Sequence, residues 1–112
     1  MTLSAANNYA MTLKELKRFE EAKSVLRKTM PVARRVLGDC HDLTLKTRRA
    51  YAMALYQDGA ATLDELREAV TTLEDTERTA RRVMGGAHPL VVQIGPCLRD
   101  CLLYTSPSPR DS

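Results

Sequence analysis

Tryptophan is missing from this chain of 112 residues, phenylalanine occurs once and tyrosine four times, so aromatic residues make up only 4% of it. Sandwiches and barrels build their cores from aromatic and β-branched strands, and this scarcity disfavours them. Long apolar runs are missing too. Charged residues make up 28% and the mean hydropathy is −0.32, and no stretch approaches the length a membrane-spanning helix needs. Met1 to Ala5 show neither the basic nor the apolar segment of a secretory signal, and the three cysteines follow no paired pattern, so a cytoplasmic location is expected. Nucleotide-binding glycine loops, Gly-x-Ser-x-Gly and His-Glu-x-x-His are absent. Glu20, Glu21, Glu74 and Asp75 fall at solvating helix positions with no nucleophile beside them, and Cys40, His41, Cys97 and Cys101 lack the Cys-x-x-Cys spacing of a zinc site. No enzymatic activity, metal or cofactor is expected.

Alanine, leucine and helix-favouring charged residues dominate instead, and the 44% of hydrophobic residues suffices for one modest core. The chain repeats itself. Thr2-Leu3 returns as Thr44-Leu45 and Tyr9-Ala10-Met11 as Tyr51-Ala52-Met53, an offset of 42; Glu21-Ala22 returns as Glu68-Ala69 and Arg34-Arg35-Val36-Leu37-Gly38 as Arg81-Arg82-Val83-Met84-Gly85, an offset of 47. The change of offset places a five-residue insertion between Tyr56 and Glu68, near Gly59-Ala60-Ala61-Thr62. Within one copy, Leu3, Ala6, Ala10 and Leu13, then Ala22, Val25, Leu26, Thr29, Ala33, Val36 and Leu37, step by threes and fours, the pattern of two amphipathic helices. Gly38 and Gly85 supply left-handed caps, and His41-Asp42 and His88-Pro89 open the next helices. Thr62-Leu63-Asp64-Glu65 has capping-box spacing, so the second helix of copy two starts early and runs long. Pro31 predicts a kink, and Gly95-Pro96 a disturbance of the last helix.

On these residues the chain resembles the tetratricopeptide repeats of kinesin light chains and their relatives. The pattern Thr-Leu, Asn-Leu-Ala, Gly-x-Tyr-x-Glu-Ala and Val-Leu-Gly is matched in order by Thr2-Leu3, Asn8-Tyr9-Ala10, Phe19-x-Glu21-Ala22 and Val36-Leu37-Gly38. The fold class implied is all-α, antiparallel helix hairpins forming a fragment of an α-α superhelix. Residues 1–42 form repeat one, 43–89 repeat two with its insertion, and 90–100 the start of a truncated third. Two repeats and a fraction imply an internal piece of a longer array, with neighbouring repeats missing. Residues 101–112 stand apart: eleven of them, Cys101 to Asp111, resemble the translation of a transposon-end sequencing adapter, and they are read as a non-native tail.

The resemblance implies a non-enzymatic scaffold for protein–protein interaction, in the manner of cargo or adaptor binding; a regulatory segment of a larger signalling protein or enzyme is the alternative. Its first helices would line a concave groove, presenting Asn7, Asn8, Met11 and Lys14 from copy one and Lys46, Arg49, Ala50 and Met53 from copy two. Ligand contact by the family's asparagine carries over to Asn8 alone. Charge is uneven: residues 1–50 hold 11 Lys and Arg against 5 Asp and Glu, and residues 51–100 hold 5 against 8. That basic half, which includes Lys23, Arg27 and Arg48, fits an acidic peptide partner. Nucleic acid is disfavoured, because aromatic stacking platforms and glycine-rich loops are lacking.

Overall fold

The computed structural model describes residues 2–105. Five helices follow one another: α1 (Leu3–Glu15), α2 (Phe19–Leu37), α3 (Asp42–Tyr56), α4 (Leu63–Met84) and α5 (Pro89–Thr105). Each packs on the next in the chain, and α3 also touches α1 and α5. The arrangement is therefore two layers, α1, α3 and α5 side by side with α2 and α4 behind them. The smallest dimension of the molecule, 19 Å, is about that of two packed helices.

Local chemistry sets the boundaries. Thr2 caps α1, its hydroxyl accepting from the amide of Ala5. His41 and His88 act alike at α3 and α5: each Nδ1 accepts a backbone N–H two residues on, from Leu43 and Leu90, both at 3.1 Å. Thr62 and Glu65 form the capping box read from the sequence, and α4 runs 22 residues against 19 for α2. The two glycine corners differ from the left-handed caps expected. Gly38 (φ 91°, ψ 161°) and Gly85 (φ 86°, ψ 159°) occupy an extended positive-φ region that is open essentially to glycine alone.

The turn between α1 and α2 uses a different residue. Lys17 sits at φ 66°, its N–H bonding to the carbonyl of Lys14 while the N–H of Arg18 reaches that of Leu13. That pairing is a Schellman motif with lysine at the position glycine usually fills.

The expected disturbances at proline do not break the helices. Helix α2 continues through Pro31 and α5 through Gly95-Pro96. Pro31 and Pro96 are both exposed, so each ring is accommodated on the solvent side. Helix α5 is meanwhile held by a buried stripe, Leu90, Ile94, Cys97 and Cys101. It thus extends into the segment that resembles adapter, where Cys101 is fully buried with its Sγ 3.5 Å from the carbonyl of Leu66. Residues 106–112 lie outside the described residues.

Candidate functional site

Helix α3 is covered on most sides by its neighbours, which leaves one narrow stripe in reach of solvent: Asp42, Lys46, Arg49 and Met53, at spacings of four, three and four. The offset of 42 maps Lys46, Arg49 and Met53 onto Ser4, Asn7 and Met11 of α1, which form the same stripe one repeat earlier. Both methionines are half-buried and rest against the core.

Of the six groove residues expected from the sequence, Asn7, Met11, Lys46 and Arg49 lie on this stripe, Lys14 at its edge and Asn8 on its flank. Asn7 and Arg49 hold equivalent positions, and each has a buried polar atom, Asn7 Oδ1 and Arg49 Nε, with no hydrogen-bond partner among the described residues. Two orphaned polar atoms at one repeat position mark places where an incoming group would gain a bond that the protein does not supply. Lys14 stands at the edge toward α3 and donates from Nζ to Gln57 Oε1 at 3.2 Å. Burial first, and then the like charge of Arg49, lower its pKa below the ordinary lysine value, so the two cations share one local field. Lys46 is exposed and pairs with Asp42 one turn away at 3.1 Å. Asn8 is exposed on the flank of the stripe, and its equivalent, Ala50, is buried against neighbouring helices at 2% exposure. Of the two asparagines, Asn7 is the one in register with Arg49.

The broad basic surface read from the first half of the chain contracts in three dimensions. Lys23 is 1% exposed, its Nζ 2.6 Å from both Glu20 and Glu65 and 4.0 Å from Asp58. Arg48 is buried and paired with Asp75, which draws that carboxylate away from the purely solvating role expected of it. Hydrogen bonding to Arg48 holds the Asp75 carboxyl below the usual aspartate value. Arg27 donates from Nε to Tyr51 Oη at 3.3 Å, with its guanidinium carbon 5.9 Å from the ring centre. Tyr51 Oη in turn donates to Glu68 at 2.7 Å. These cations tie α2, α3 and α4 together, and Lys14, Lys46 and Arg49 are left on the open face.

Sequence reasoning missed these interhelix pairs because their partners lie 17 to 42 residues apart. The one usable signal was that Lys23 lies next to the apolar stripe of Ala22 and Leu26. His41 and His88 each direct Nδ1 to a backbone amide at a helix start.

Comparison with known families agrees with this architecture. A family model described as Tetratricopeptide repeat matches residues 1–61, which cover α1, α2 and α3. No curated protein and no solved structure matches the chain significantly.

Proposed function

The chain belongs to the tetratricopeptide repeat family, and on that premise we propose that it is a non-catalytic interaction module of the kinesin light chain-like type, holding an extended acidic peptide across α1 and α3. The observation that carries this reading is the matched pair of orphaned polar atoms, Asn7 Oδ1 and Arg49 Nε, at the same position of successive repeats. An extended peptide offers N–H donors to the first and carbonyl or carboxylate acceptors to the second. Lys14 and Lys46 supply further positive charge at the margins, Met11 and Met53 give an adaptable apolar floor, and Asn8 flanks the entrance. Charge-assisted bonds to Arg49 carry most of the affinity. The tail from Cys101 onward is read as adapter-derived on the strength of its eleven-residue resemblance, and the groove uses none of it.

The test is calorimetric titration of a short Glu-rich peptide into the full chain and its variants. Arg49→Ala weakens binding about tenfold and Asn7→Ala a few-fold, while raising salt lowers the affinity of the parent. Because the Lys14 pKa is lowered by burial, affinity also falls in alkaline solution at a pH below the ordinary lysine range. Affinity unchanged in both variants removes the groove assignment.

A further inference from the structure

Comparing the two repeats position by position exposes a binding site that is filled in one and open in the other. In repeat two, Tyr51 of α3 and Glu68 of α4 together receive Arg27 from the helix packed in front of them: the tyrosine gives its hydroxyl and ring, and the carboxylate closes the network. The two offsets map these receivers onto Tyr9 and Glu21, which carry the same side chains. Tyr51 is 4% exposed, whereas Tyr9 is 45% exposed and its hydroxyl has no hydrogen bond among the described residues. Glu21 turns instead to its neighbour, Arg18 Nε and Nη2, both at 2.7 Å. Thr12 and Asn8 are exposed where Ala54 and Ala50 are buried, so the whole flank of α1 is open where that of α3 is covered.

We infer that Tyr9 and Glu21 form a receptor for an arginine carried on the outer helix of a further repeat hairpin, stacked in register against α1 and α2. The remaining contacts of repeat two define what else that helix carries. Glu65, which holds Lys23, maps onto Arg18, so the incoming helix has a carboxylate where α2 has Lys23. Arg48 and Asp75, an ion pair, map onto Ala6 and Lys28. There the surface is instead a groove of about 290 Å³ whose apolar walls are Leu3, Ala6, Val25 and Val32. It takes an apolar side chain from the last turn of the incoming helix, at the position that Arg34, paired with Asp39 at 2.7 Å, holds on α2. A second copy of this chain does not fit, because its own Arg27 is already held by Tyr51 and Lys23 would face Arg18.

The probe is a labelled synthetic peptide with the sequence of α2, residues 19–37, carrying Lys23→Glu and Arg34→Leu, titrated into the full chain and followed by fluorescence anisotropy. Saturable binding is expected, weakened about tenfold by Arg27→Ala in the peptide or by Glu21→Gln in the protein, and weaker for the unaltered α2 sequence. Absence of binding, or binding indifferent to Glu21→Gln, overturns the assignment. Sensitivity to Glu68→Gln with indifference to Glu21→Gln also overturns it, since the peptide would then be displacing α2 itself. Sedimentation of the chain alone adds an independent check: dimers that vanish in Tyr9→Ala give the face to a second copy and refute the proposed occupant.

Discussion

Lys17 carries a cost that its position makes explicit. A lysine at φ 66° brings Cβ against the following carbonyl, a conformation that disfavours side-chain-bearing residues by roughly 1–2 kcal/mol. The Schellman bonds of Lys17 and Arg18 hold it there all the same. Lys17→Gly relieves the crowding while giving back some chain entropy in the unfolded state, so a net gain of up to about 1 kcal/mol is expected in chemical denaturation. Unchanged or reduced stability contradicts this account of the turn. The sequence announces Gly38 and Gly85, because glycine marks its own special backbone, but no lysine marks a positive φ. Asn7 was legible in the same limited way: helical periodicity placed it beside the buried stripe, yet only the packed α3 shows that it shares a register with Arg49 and that Asn8 shares one with Ala50.

Between elements, the charged cluster around Lys23 joins α2 to the start of α4. Burial works against its charge, but the hydrogen bonds it donates to Glu20 and Glu65 outweigh this and leave the Lys23 pKa above the ordinary lysine value. Glu65 is held below the usual glutamate value, first by its bond to Lys23 and then by the backbone of Thr62. A depressed carboxylate stabilises the fold above its unfolded pKa and stops doing so as pH falls through the lowered folded value. A raised lysine stabilises below its unfolded pKa and stops as pH rises through the raised folded value. The link is therefore intact across the neutral range and fails at both extremes. Lys23→Ala leaves the carboxylates facing one another, with a loss toward the low end of the roughly 3–5 kcal/mol typical of a broken buried pair, since Glu20 and Glu65 retain access to water. Thermal melts should also show a shallower acid limb in that variant; a full-sized loss of stability at low pH in Lys23→Ala contradicts the linkage. Caps and helix lengths were readable beforehand because they depend on residues within one turn of each other, as at Thr62 and Glu65. The Lys23 cluster was not, because its partner arrives from 42 residues away.

Across the whole molecule, two stacked hairpins and a fifth helix create two kinds of surface from one repeat. Positions that face a neighbouring helix become core in α3, whereas the narrow stripe that faces none keeps polar groups partly buried and unmatched. The period of 42 and its shift to 47 made this stacking legible, and the insertion appears as a longer turn and an earlier start to α4. What the period alone did not give was the division of the cations, some consumed in holding hairpins together and others left facing outward. The central claim is that the outward face of α1 and α3 is where a ligand sits. Its most direct test is a titration of isotopically labelled full chain with a Glu-rich peptide, followed by the backbone and side-chain NMR signals. Shifts should concentrate at Asn7, Met11, Lys46, Arg49 and Met53 and saturate together; shifts confined to the outer surfaces of α2 and α4, or none at all, contradict the claim.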